Sequence, residues 1–373
     1  VRVALVHYWL IGMRGGERVL EALCRMFPGA DIFTHVCNPD ILSPTLARHR
    51  IITTGISRLP FATRRYQSYL PLMPMALESL DLSGYDLVIS SEAGPAKGVI
   101  VPPHALHLCY CHSPMRYLWD QYHVYRADAG PVTRAVMPFL AHSLRQWDVT
   151  SAARVDRFVA NSSHVAARIN KYWRRDATVV HPPVAVDEFA GGEAREPGDY
   201  YLWAGELVSY KRPDIVIEAF NRLGHRLVVI GGPDKARRAL QRKAKSNIEF
   251  LGKVPFATLK AHMAQCKALV FPGEEDFGMV PVEVMASGRP VIAYGQGGAL
   301  ETVVHGETGF LFQEQTVDGL IDAIRNFEAL GLYRLDRNRL IAHARRFDEA
   351  QFAARMSAIF AEHGVPLETR PAD

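Results

Sequence analysis

Short apolar runs recur along the chain and alternate with longer segments whose apolar positions fall every three or four residues. Val1 to His7, Asp86 to Ser90, His107 to Cys111, Phe158 to Ala160, Tyr201 to Ala204, Arg226 to Ile230, Ile248 to Leu251 and Ala268 to Phe271 read as strands, most of them buried on both faces. Helical periodicity predicts helices over Glu17 to Met26, Leu144 to Ala153, Ile215 to Leu223, Val317 to Leu330 and Asp348 to His363. Asn161-Ser162-Ser163 supplies an N-cap for a further helix through Tyr172. Gly306 to Phe312 reads as a hairpin-like connection. Strands alternating with helices have the rhythm of doubly wound parallel sheets, an α/β architecture.

One stretch concentrates chemistry. Phe271 to Tyr294 reads FPGEEDFGMVPVEVMASGRPVIAY: a strand stopped by Pro272-Gly273, a polar loop, a helix opening around Pro281 and closing at Gly288, then the next strand. The free N–H groups of Phe277, Gly278, Met279 and Val280 form a positive helix end suited to a phosphate. Glu275 and Glu283 bracket that end with seven residues between them. They read either as acids that favour the helix dipole or as hydroxyl-binding carboxylates beside an anion site.

At 373 residues the chain exceeds what one core sustains, so two domains are expected. The boundaries fall at 1–190, a polar glycine-bearing linker at 191–199, 200–346, and a last helix with its tail at 347–373. A hydrophobic content of 48% with 22% charged residues is that of a soluble globular protein, and no apolar run is long enough to span a bilayer. The apolar start VRVALVHYWL reads as a first strand and not as a signal peptide. Five scattered cysteines fit a reducing compartment, and Cys109-Tyr110-Cys111 lacks zinc spacing. A net charge of +4 argues against nucleic acid as a partner.

The charge is uneven. Residues 1–190 hold twenty Lys and Arg against fifteen Asp and Glu, and Arg58 to Met75 mixes Arg58, Arg64 and Arg65 with Phe, Tyr, Leu and Met around three prolines. That run reads either as an anionic membrane interface or as a solvated surface with its Arg paired to local acids. In the same half, Gly15-Gly16 opens a helix after the first strand, a phosphate-cradle layout or a simple turn, and G-x-G-x-x-G is absent. His112 stands where a strand runs out, the edge at which open α/β sheets bind ligands, although a histidine there is also often structural.

EEDFGMVPVEVMASGRPVIA, with CYCHSPMRYLWD before it and GGALET after it, resembles the retaining glycosyltransferases of family 4, and the His112 segment is similar to that of bacterial mannosyltransferases of surface polysaccharide assembly. The resemblance covers nearly the whole chain. It implies the GT-B fold, two Rossmann-like domains facing across a cleft with the C-terminal helix crossing back to the first. It implies donor contacts at Gly15, Gly16, Lys211, Glu275, Phe277, Gly278, Met279, Val280 and Glu283. Among these Glu275 lies near the donor sugar, Glu283 on the ribose and Lys211 on the diphosphate, and His112, Glu275 and Lys211 carry catalysis. Glu206 is a departure, because the family usually places an Arg there.

The implied reaction is hexosyl transfer with retention, by front-face attack, from a nucleotide sugar, GDP-mannose above all. The implied acceptor is a polyprenyl-diphosphate-linked glycan at the cytoplasmic membrane face. No D-x-D occurs, so neither a metal nor another cofactor is expected. A UDP-sugar donor, a GT-B sugar-nucleotide 2-epimerase and a non-catalytic nucleotide-sugar-binding protein stay open. A dehydrogenase lacks its glycine fingerprint.

Overall fold

A computed structural model of the protein describes residues 1–192 and 196–365, which form two compact units. The first comprises residues 1–182 and the described residues from Phe352 onward, and the second residues 183–351.

The first unit is built on seven strands: β1 (Val3–His7), β2 (Asp31–Thr34), β3 (Ile51–Thr53), β4 (Leu87–Glu92), β5 (Leu106–Cys111), β6 (Arg157–Ala160) and β7 (Ala177–Val179). Every pairing is parallel, in the order β3-β2-β1-β4-β5-β6-β7. All five residues of β1 are buried, as a continuous apolar run requires of a central strand covered on both faces. Val3 and Leu5 pack with Val19, Leu20 and Leu23 of the helix Gly15–Met26. Ala4 and Val6 face the other way, into a cluster with Leu77, Tyr85 and Val99. The last helix, Glu349–Glu362, returns to this unit and puts Phe352, Met356, Ile359 and Phe360 into the core around Leu5. Its sequence neighbours do not require this. Burial of its apolar stripe does.

The second unit has six strands: β8 (Tyr200–Ala204), β9 (Arg226–Ile230), β10 (Ile248–Gly252), β11 (Leu269–Phe271), β12 (Val291–Tyr294) and β13 (Gly309–Phe312). They are again all parallel, in the order β10-β9-β8-β11-β12-β13. Along β8 the side chains alternate between two cores, Leu202 and Ala204 in one, Tyr201 and Trp203 in the other.

Some expectations change. Gly309–Phe312 is no hairpin: it pairs in parallel with β12 as the edge strand. The helix expected from Leu144 begins at Pro131 and runs 22 residues, because its first half carries exposed apolar residues that blur the amphipathic pattern. The crossing between units lies at Pro182–Pro183, and Val184, Val186 and Phe189 belong to the second unit's core. Residues 193–195 of the expected linker and 366–373 of the tail lie outside the described residues. Each sheet reverses its strand order once, between β1 and β4 and between β8 and β11. Such switch points leave a crevice at the carboxyl ends of the strands.

Candidate active site

In the second unit the loops after β8 and β11 flank the switch point. Lys211 sits in a short turn, Ser209–Lys211, ahead of the helix Pro213–Leu223, and its Nζ lies 2.9 Å from Glu275 Oε1. Burial works against the ammonium, but Glu275 outweighs it and raises the lysine above its ordinary value, with Tyr210 and Glu206 acting in the same direction. The two loops touch through their backbones. A Cβ at Gly273 would stand 2.7 Å from Lys211 Cα, so only glycine admits this approach. A third loop locks Glu275 in place: Gly298 N–H donates to the Glu275 carbonyl at 2.8 Å.

The helix of the E-x7-E stretch runs Met279–Ala286 and opens after Gly278, which has φ 82°. Met279 and Val280 occupy its first turn and Pro281, without an N–H, the next position. Phe277 contributes only backbone here, since its ring is buried at 5.6 Å from Phe347. Glu283 lies further along the same helix and is partly exposed. Arg212 is committed elsewhere: its Nε and Nη2 grip Asp214 at 2.9 Å each. The loop thus gathers one lysine and the carboxylates Glu206 and Glu275, where the sequence resemblance leads one to expect Lys plus Arg.

In the first unit, His112 follows β5 directly, and its Nε2 lies 2.8 Å from Ser91 Oγ on β4. The same hydroxyl is 3.0 Å from His7 Nδ1 at the end of β1, so the bond between His7 and Ser91 spans the switch point. His7 Nε2 in turn faces Glu17 Oε1 at 3.7 Å. Burial, with the neighbouring His7 adding to it, pushes the His112 imidazole down to about 3. The ring is therefore neutral at physiological pH. Gly15 and Gly16 are the first residues of the helix carrying Glu17, and a Cβ on Gly16 would run into the Tyr8 hydroxyl and lie 3.5 Å from His7 Cε1. Close packing on Tyr8 and His7 accounts for Gly16 without any ligand.

Sequence reading passed over His7, Ser91 and Glu17, and also a buried charge cluster. Lys97 is fully enclosed, with Nζ bonded to Asp148 Oδ1 and 3.3 Å from Glu92 Oε1. Asp148 Oδ2 accepts the indole N–H groups of Trp119 and Trp173, at 2.8 Å each. Glu92 Oε2 accepts the backbone N–H groups of Ala96 and Lys97. Burial opposes the Lys97 charge, and Asp148 and Glu92 more than offset it. Among the described residues no three His, Cys, Asp or Glu gather as a metal-binding group.

Residues 13–188 match the family described as Glycosyltransferase Family 4, and residues 187–347 match Glycosyl transferases group 1. Each match covers just under half of the chain; together with the fold, which is that of the GT-B glycosyltransferases, they make the chain similar to family 4 glycosyltransferases. It is 31% identical over 175 residues to an uncharacterized glycosyltransferase of Methanocaldococcus jannaschii, an alignment covering 45% of this chain and 48% of that protein. It is 29% identical over 207 residues to the D-inositol 3-phosphate glycosyltransferase of Streptomyces avermitilis, covering 47% and 45%. The chain thus spans about half the length of the curated relatives it matches. The crystal structure of Anabaena HepE in complex with UDP and glucose superposes with a TM-score of 0.71 at 17% identity, covering 96% of this chain and 99% of that one, a likeness of fold.

Proposed function

We propose that this protein transfers a hexosyl group from a nucleotide sugar to a hydroxyl with retention of configuration. The observation that carries the reading is the Lys211–Glu275 pair at the β8/β11 switch point, next to the opening of the helix Met279–Ala286. Cleaving a nucleotide sugar builds charge on the leaving diphosphate, which needs donors already in place. Lys211 and the N–H groups of Phe277, Gly278, Met279 and Val280 would meet it, Glu275 would touch the donor sugar and Glu283 the ribose. Glu206 keeps the local charge low, so Lys211 has to exchange part of its contact with Glu275 for phosphate. His112, neutral, would contact the donor sugar by a hydrogen bond and not by charge, and Gly15 and Gly16 would lie near the donor. No metal or organic cofactor is required by this scheme.

For the donor we propose GDP-mannose, on the resemblance of the His112 segment. A UDP-sugar is the second reading, favoured by the complex of the structural neighbour with UDP and glucose. For the acceptor we propose a polyprenyl-diphosphate-linked glycan, reached at the inner face of the plasma membrane. The surface supports it: Phe61 is 66% and Met75 66% exposed beside the exposed Arg58, Arg64 and Arg65. Among the described residues these three arginines form no ion pair with a carboxylate, and Arg65 lies over the Phe61 ring at 5.5 Å. Helix Pro131–Ala152 adds Val132, Val136, Phe139 and Leu140, exposed along one stripe. Among the described residues no helix is long and apolar enough to cross a membrane.

Thermal melting against a panel of nucleotide diphosphates and their sugars tests the donor. A ligand at a hundred times its dissociation constant adds about 2.7 kcal/mol. GDP and GDP-mannose should raise the melting temperature most. Protection by UDP-sugars alone transfers the claim to the second reading, and a panel without effect removes the nucleotide-sugar reading. Turnover of the protecting donor separates an enzyme from a protein that merely binds it.

A further inference from the structure

We infer that the first unit holds a site for the lipid end of the acceptor: a cavity of about 510 Å³ that takes an apolar chain, ringed by arginines that take the phosphate at its head. The inference rests on the lipid-linked acceptor proposed above. The cavity opens at the outer end of the first sheet, where Val36 and Cys37 follow β2 and Thr53 closes β3. It lies between two separate clusters of the core. Leu42 and Ile51 of its lining pack against the cluster around Leu5, whereas Val36 belongs with Ile56, Ala62 and Met73. Such a volume with a mostly apolar lining is that of a small-molecule site.

Most of the polar groups in the lining already have partners within the protein. His49 donates from Nδ1 to the Ala30 carbonyl at 2.8 Å, Ser57 Oγ donates to the Thr54 carbonyl at 3.0 Å, and Thr53 Oγ1 lies 2.9 Å from Ser57 Oγ. The walls therefore offer burial to a chain more than hydrogen bonds to a sugar. Charge supplies the other half of the ligand. From Ile32 to Leu77, the stretch that contributes every lining residue, the chain carries five arginines and a single acid, Asp40. Arg48, Arg50, Arg58 and Arg64 each stand next in sequence to a lining residue, and all four are exposed. Among the described residues none of the four forms an ion pair with a carboxylate. Cations without counter-charge around an apolar cavity match a chain that ends in phosphate, which a guanidinium can grip with two N–H groups at once.

Four strand spacings, about 19 Å, separate β3 from β5 and the His112 that follows it. The cavity is thus an anchor remote from the reacting hydroxyl, and its loss should show in KM for the acceptor and not in kcat.

Cys37 lines the cavity and is alone among the five cysteines in not being buried, so its thiol reports occupancy without any turnover. Farnesyl diphosphate is the probe, with inorganic diphosphate and phosphatidylglycerol vesicles as the other two arms. Maleimide labelling of Cys37 in the full chain should slow about tenfold when farnesyl diphosphate reaches ten times its dissociation constant. No slowing, or equal slowing by inorganic diphosphate alone, overturns the site, and equal slowing by the vesicles gives the cavity to bilayer lipid and overturns the acceptor role. Ala47→Trp, which fills the cavity from an exposed lining position, should weaken farnesyl diphosphate binding at least tenfold by calorimetry, and Thr63→Trp repeats the test from another element should the first variant not fold. Wild-type affinity in a folded variant overturns the site. With the donor found by melting, the same variant should raise KM for a polyprenyl-linked acceptor about tenfold at constant kcat, the worth of two buried methylene groups. An unchanged KM overturns the anchor. Donor melting is independent of all these results, so nucleotide protection without any farnesyl effect removes the anchor and leaves the transferase reading in place.

Discussion

Lys211 Nζ and Glu275 Oε1 lie 2.9 Å apart although their loops leave the sheet from different strands, β8 and β11. The pair bridges the strands between which the sheet reverses its order. Lys211→Ala should therefore remove a charge from the point where a leaving diphosphate develops its own. Loss of one such donor typically costs about 2.7–4 kcal/mol in the rate, or ~10²–10³ in kcat. Steady-state assays of donor consumption would check this, and an unchanged kcat would take Lys211 out of the reaction.

Glu283→Ala should weaken nucleotide binding by about 1–3 kcal/mol, the loss of a charge-assisted hydrogen bond to the ribose. Isothermal titration with both the donor and the free nucleotide measures it. Equal affinity for wild type and variant would leave Glu283 as a helix acid.

Asp148→Asn should be the most destabilising single change in the first unit, because it strips the buried Lys97 of its closest counter-charge. Breaking a buried pair on one side costs about 3–5 kcal/mol, far more than an exposed pair at the surface. Urea unfolding gives the difference, and a loss under about 1 kcal/mol would show that Glu92 and the indoles suffice.

Acid should destabilise the fold as the pH falls below about 6.5. Burial pushes His35 and His107 each down to about 4 from 6.5. Their folded values are depressed, so between those limits the unfolded chain takes up protons that the native chain refuses. The stability they carry is complete above about pH 6.5 and drains away as the pH falls toward 4, at up to about 1.4 kcal/mol per pH unit for each ring. Urea midpoints at pH 7, 6 and 5 should fall in that order, and His107→Gln should flatten the series. A flat wild-type series would contradict the neutral, buried state of both rings.

Binding to anionic vesicles should weaken with salt, since exposed charges are screened beyond about 8 Å at physiological ionic strength. Replacing Arg58, Arg64 and Arg65 by Ser should release the protein while nucleotide affinity holds. Co-sedimentation over a salt series, with neutral vesicles as control, decides. Equal binding to both vesicle types would point to the apolar residues Phe61, Met75, Val132 and Phe139 alone, and no binding to either would leave a water-soluble acceptor.

What the sequence by itself determined is local. The apolar run Val3–His7 demands a doubly covered strand, and Ser162, whose Oγ accepts the Val165 N–H, starts the helix expected of it. Glu275 and Glu283 bracket the helix opening as their spacing implies, because helical rise and turn are the same in any fold. The three- and four-residue strands β3 and β2 were not legible: Ile51–Thr53 and Asp31–Thr34 are too short for a period to show, and only pairing with β1 and each other makes them strands. The tertiary structure alone decided what meets at the sheet edges. His7 and Ser91 are 84 residues apart, Ser91 and His112 21, and Lys97 and Asp148 51. Parallel strands joined by crossovers place all their carboxyl ends along one edge, so residues with no relation in sequence become neighbours. Whether a histidine there is charged or neutral depends on how deeply the fold buries it, and nothing in its own segment records that.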